Sequence, residues 1–111
     1  MKAIFIELPY FERYRNEFLT DEDFRQFQNE LLADPEKGEL IQHTGGLRKV
    51  RIADKQRNKG KRGGARVIYY WRSSRGIFYL ITAYGKNTKD DMSTEERKVF
   101  ANLLDVIKQG E

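Results

Sequence analysis

Apolar residues gather at the start of the chain in a short β-branched run, Lys2–Leu8 (KAIFIEL), which predicts a strand closed by Pro9. The spacing then changes. Phe11, Tyr14, Phe18 and Leu19 recur at helical intervals over Phe11–Leu19. Thr20 caps a second helix, with Asp21, Glu22 and Asp23 in its first turn, where the helix dipole favours acidic side chains. Phe24, Phe27, Leu31 and Leu32 make its apolar stripe, read as core, and Asp34-Pro35 ends it. A loop runs to Thr44-Gly45-Gly46.

Period-two patterning follows. Leu47–Ala53 predicts a second strand with Leu47, Lys49, Arg51 and Ala53 on one face and Arg48, Val50 and Ile52 on the other. Asp54–Gly64 is too polar and glycine-rich to pack, and a mobile loop is expected there. Ala65–Arg72 predicts the third strand, with Arg66, Ile68 and Tyr70 on one face and Val67, Tyr69 and Trp71 on the other. Ser73–Gly76 is a hairpin turn. Ile77–Tyr84 is a nearly continuous apolar run, which suits a strand covered on both faces. Ser93 and Glu96 have capping-box spacing and open a last helix carrying Val99, Phe100, Leu103, Leu104 and Ile107. The order β-α-α-β-β-β-α predicts one α+β domain over residues 1–111. Its mostly antiparallel sheet of about four strands carries two N-terminal helices and a C-terminal helix, all on one face.

Charge alters this picture of an ordinary small domain. The net charge of +4 is unevenly spread. Residues 1–46 carry 5 Lys/Arg against 10 Asp/Glu, residues 47–89 carry 13 against 1, and residues 90–111 carry 3 against 6. The middle block is therefore +12 between segments of −5 and −3. Such a block attracts polyanions, and its cations lie inside strands as well as in the loop. Lys49, Arg51 and Arg66 can converge on one sheet face, with Lys86 just past the last strand and Arg48, Lys59, Lys61 and Arg62 at the rim. Lys55–Arg62, with Lys55 and Arg57 at its start, reads as an electrostatic arm for RNA docking.

Several chemistries are excluded. The chain of 111 residues has no cysteine, so it has no disulfide framework and no thiolate metal site. His43 is its one histidine, so a His-based metal cluster and a two-histidine ribonuclease mechanism are ruled out. Asp90 and Asp91 read as helix-terminus residues rather than metal ligands, with a magnesium role left open by their spacing. No metal and no cofactor is expected. GKRGG lacks P-loop spacing and precedes a strand. MKAIFIELPY has too short an apolar run for a secretion signal, and no segment reaches membrane-spanning length. The expectation is a soluble cytoplasmic protein with no membrane partner.

If the basic face cuts RNA, a 2′-hydroxyl attacks the adjacent phosphate. Arg66 with Lys86 or Arg51 would stabilise the added negative charge. Lys49, crowded by cations, is the candidate base. Tyr70 and Tyr84 are candidates for base stacking or for the active site, whereas Tyr69, Trp71 and Tyr79 read as core. A basic RNA-binding module without catalysis fits the same residues.

TGGLRKVRIA (44–53), GKRGGARVIYYW (60–71) and LITAYGKNTKDDMSTEER (80–97), in this order, resemble the RelE superfamily of bacterial toxins, specifically its HigB-like branch. The resemblance covers nearly the whole chain. It implies a microbial-ribonuclease-like fold and a toxin of a type II toxin–antitoxin pair that enters the 70S ribosome and cuts mRNA in the A site. It also implies a cognate antitoxin with a helix-turn-helix domain, and operator DNA bound only through the antitoxin complex. By matching position, its catalytic residues fall on Lys49, Arg51, Arg66, Lys86 and Asn87. Asn87 stands where the best-studied members have an arginine, and Ser93 stands where they have a tyrosine. Proton transfer then rests on Tyr84 or on the lysines. A different target on the same fold, such as DNA gyrase, is the remaining alternative.

Overall fold

The computed structural model describes residues 2–52, 64–85 and 91–110. In chain order it forms β1 (Ile4–Glu7), α1 (Pro9–Phe18), α2 (Asp21–Ala33), β2 (Glu39–Leu40), β3 (Arg48–Ile52), β4 (Ala65–Arg72), β5 (Ile77–Gly85) and α3 (Thr94–Gln109). The helix starts follow their predicted chemistry. Pro9 stands in the first turn of α1, where its missing N–H costs nothing. Thr20 and Asp23 close a capping box at α2, and Ser93 and Glu96 close another at α3.

The sheet has five strands in the order β1-β5-β4-β3-β2, not four. The extra one is β2, two residues paired antiparallel with β3 in a stretch too short to show a period. The strands β3, β4 and β5 form the antiparallel centre. The first strand crosses the sheet and pairs parallel with β5, in register Ile4↔Ile77 to Glu7↔Leu80.

Helices cover both faces, which corrects the expectation of one. On one side α1 and α2 bury Phe11, Tyr14, Phe27 and Leu31 against Val50, Val67, Tyr69 and Leu80. On the other, α3 buries Phe100 and Leu104 against Leu47, Ile68 and Ile81. The apolar runs of β4 and β5 require this, because a sheet with alternate residues apolar on both faces must be covered twice. A register shift at Ile68/Tyr69 leaves Ile81 as an extra residue on β5. Tyr84 pairs with Arg66 before the shift, and Tyr79 pairs with Tyr70 after it. The bulge therefore brings Tyr79 and Tyr84, an odd number of residues apart, onto the α3 face.

Tyr69 anchors the α2–β3 connection. Its fully buried hydroxyl donates to the Pro35 carbonyl at 2.8 Å and accepts from the Gly38 amide at 3.0 Å. Gly38 is needed for this approach, since a Cβ there would stand 2.8 Å from the Tyr69 ring. Tyr69→Phe leaves both backbone groups without that partner and is expected to cost about 1–3 kcal/mol. In urea unfolding the midpoint should fall with the slope unchanged.

Candidate active site

Lys49, Arg51 and Arg66 do share one face, the α3 face, as strand alternation predicts. Arg51 and Arg66 are direct partners across β3 and β4, and Arg66 is also the partner of Tyr84 across β4 and β5. Arg51, Arg66 and Tyr84 thus form one row across three strands, with neighbouring Cβ atoms about 5 Å apart. Lys49, partner of Ile68, stands one step along the same face. Like charges placed opposite each other destabilise a sheet. Arg66 is 4% exposed, while Arg51 lies open to solvent.

The entrance to α3 approaches this row from the side. Among the described residues, four donors reach the Asp91 carboxylate. Its Oδ1 accepts from the Met92 amide at 2.8 Å, from Lys49 Nζ at 3.3 Å and from the Tyr84 hydroxyl at 3.4 Å. Its Oδ2 accepts from Arg97 Nη2 at 3.0 Å. Burial works to raise the Asp91 pKa. The Met92 amide and the charges of Lys49 and Arg97 outweigh it and hold the carboxyl below its ordinary value. Tyr84 responds in the opposite sense: burial first, then the Asp91 charge and hydrogen bond, push its phenol up to about 12. At neutral pH Tyr84 therefore keeps its proton. It can donate a hydrogen bond or a proton, but it is not a base. Lys49 is not surrounded by cations alone, as its role as base supposed, because it forms an ion pair with Asp91. Lys49 lines two clefts of about 280 and 270 Å³, one shared with Asp91 and Arg97, the other with Arg51.

Other expected residues lie elsewhere. Arg48 points to the opposite face, where it donates to the carbonyls of Glu36 and Gly38 and pairs with the Glu36 carboxylate. Tyr70 is half-buried beneath α3, with Lys108 Nζ 5.4 Å from its ring centre, an arrangement that ties the ring to the helix. Tyr69 is core; Trp71 and Tyr79 are half-buried and stack on Phe78 and Tyr70. Lys86 and Asn87, with Lys55, Arg57, Lys59, Lys61 and Arg62, lie outside the described residues. Among the described residues no three His, Cys, Asp or Glu side chains gather as metal ligands, and no helix is long and apolar enough to cross a membrane. The sequence reading took Asp91 for a helix-terminus residue and passed over Arg97. The available signal was weak: a basic residue within the first turns of α3, where the dipole disfavours it unless an acid stands beside it.

A mixed five-stranded sheet with a helix pair on one face and a lone helix on the other defines a RelE-like α+β domain. The fold is similar to that of a free arginine-to-alanine double mutant of E. coli toxin RelE, with a TM-score of 0.54 and 14% identity over 81% of this chain and 90% of that one. The chain matches the family described as the RelE toxin of the RelE/RelB toxin–antitoxin system over residues 4–109 and belongs to that family. It is a toxin of a toxin–antitoxin system, and membership implies an antitoxin as its partner.

Proposed function

We propose that this toxin is a ribosome-dependent endoribonuclease that cuts translated mRNA in the A site of the 70S ribosome and so stops translation. The observation that carries the reading is the Arg51–Arg66–Tyr84 row, with Lys49 beside it, on the sheet face next to the entrance of α3. Family membership supports it. In this reading Arg51 and Arg66 grip the scissile phosphate through their planar forks and offset the charge that builds up as the 2′-hydroxyl attacks. Tyr84, which holds its proton, donates toward the phosphate or the departing 5′-oxygen. Lys86 is the group left to assist removal of the 2′-hydroxyl proton, while Lys49, in ion pair with Asp91, stands ready for the phosphate. Lys86 and Asn87 follow Gly85, the last residue of β5, directly in the chain. The ribosome holds the nucleotide in line, an effect worth up to roughly 7–11 kcal/mol when orientation is complete. The protein alone is then expected to be a weak nuclease. The sequence blocks quoted above support placement in the HigB-like branch. The antitoxin then carries a helix-turn-helix domain, operator DNA is met only through the complex, and the toxin acts in the cytoplasm on its three partners: antitoxin, ribosome and mRNA.

Incubating one mRNA with the purified toxin, with and without initiated ribosomes, tests this. Cleavage is expected only where ribosomes are translating. Equal cutting of naked mRNA would refute ribosome dependence, and no cutting in either reaction would refute the nuclease.

A further inference from the structure

Asp91 accepts from Lys49 and Tyr84 at the site, and helix capping does not account for these contacts. The N-terminus of α3 is already served by Ser93, whose hydroxyl accepts from the Glu96 amide at 3.1 Å, and by Glu96, whose carboxylate accepts from the Ser93 amide at 2.9 Å. Asp91 instead faces the sheet. We propose that Asp91 is an internal counter-ion that, in the free toxin, holds the place of a substrate phosphate beside Lys49 and Tyr84 and limits how tightly the site takes RNA. The inference rests on the reading of this face as the RNA site.

Its contacts with the described residues are unequal. The Met92 amide at 2.8 Å and Arg97 at 3.0 Å are well-formed hydrogen bonds, and they fix the carboxylate to the helix entrance. Lys49 at 3.3 Å and Tyr84 at 3.4 Å reach the same oxygen at the long end of the range. Those two donors can turn to a phosphate while Asp91 stays in place. A carboxylate and a phosphodiester offer the same thing to them: one negative charge spread over accepting oxygens. The Lys49 side chain is 26% exposed and that of Asp91 42%, so water screens the pair and its exchange is cheap. Because Asp91 remains beside the site, its charge opposes the arriving phosphate. The result is a Lys49 held toward the cleft in a site that binds RNA loosely enough to release it.

The test is fluorescence anisotropy of a 2′-O-methyl single-stranded oligonucleotide, which cannot be cut because the attacking hydroxyl is blocked, across a salt series. Asp91→Asn is expected to bind about 3- to 5-fold tighter than the wild type, as removal of one screened like charge predicts. Its log K against log[salt] slope should steepen by about 0.7, because Lys49 then releases a counterion of its own. In a Lys49→Gln background the gain should shrink and the steepening of the slope should vanish. Asp91→Ser, which keeps an acceptor beside the Met92 amide, provides the same comparison should the Asn variant fold poorly. Unchanged or weaker binding in the Asp91 variants, with the wild-type slope near −3.5 as about five phosphate contacts require, would overturn the counter-ion role and leave the RNA site standing. A wild-type slope near zero would overturn the RNA site itself.

Discussion

Arg66→Ala is expected to lower ribosome-dependent mRNA cleavage by about 10²–10³-fold, the loss seen when one preorganised charge-stabilising donor is removed from a site. Arg66 stands between Arg51 and Tyr84 in the row, and a side chain 4% exposed has little rotamer freedom to lose on binding. Low exposure also strengthens its field, since fewer waters screen it. Arg66→Lys separates charge from shape. It keeps the stem and a positive charge but loses the fork that matches two phosphate oxygens. Its activity should lie between those of the wild type and the alanine variant. Single-turnover cleavage on programmed ribosomes gives the numbers, and circular dichroism checks that each variant is folded. A folded Arg66→Ala toxin within about fivefold of the wild type would remove Arg66 from the chemistry, because a rate factor that small is below any single charge-stabilising donor.

Phe11→Ala should have the largest effect on stability and no direct effect on the site. Phe11 is fully buried between α1 and the sheet, and its ring lies 5.8 Å from that of Phe24. Deleting a buried phenylalanine costs about 3–5 kcal/mol through lost transfer energy and the cavity left behind. A domain of this size has only about 5–15 kcal/mol in total. The melting temperature should fall by more than about 10 °C. Val99→Ala, at a residue 56% exposed on α3, is the matching control and should stay within about 0.5 kcal/mol of the wild type. Similar melts for the two variants would contradict the assignment of Phe11 to the core.

Local chemistry was legible in the sequence where a feature depends on a few adjacent residues. Thr20 and Ser93 cap the helices they were expected to cap. The bounds of β4 coincide with the predicted Ala65–Arg72 because alternation, the glycine before and the turn after all agree. Strand parity put Lys49, Arg51 and Arg66 on a common face. Long-range features were not legible. The parallel pairing of β1 with β5 depends on a chain crossing that no local pattern encodes. The split of helices between two faces follows from apolar runs on β4 and β5 that fit more than one covering. The bulge at Ile81 hides in a strand whose positions are nearly all apolar, so parity gives the wrong face for one end of it. The Lys49–Asp91 pair joins residues 42 positions apart. An aspartate two residues before a capping serine looks like part of the cap, and only the folded sheet shows that it contacts Lys49 and Tyr84. Arg48 shows the reverse. It belongs to the basic block in sequence, but alternation carries it to the far face, where loop carbonyls and Glu36 take up its donors.

The claim that unites fold, charge and family is that the basic row cuts mRNA on the ribosome. Primer extension along a translated mRNA, made in cells expressing the toxin without its antitoxin, tests it most directly. The predicted result is a ladder of 5′ ends in phase with codons, absent when Arg66 or Lys86 is replaced by alanine. Translation that halts with every message intact would contradict it.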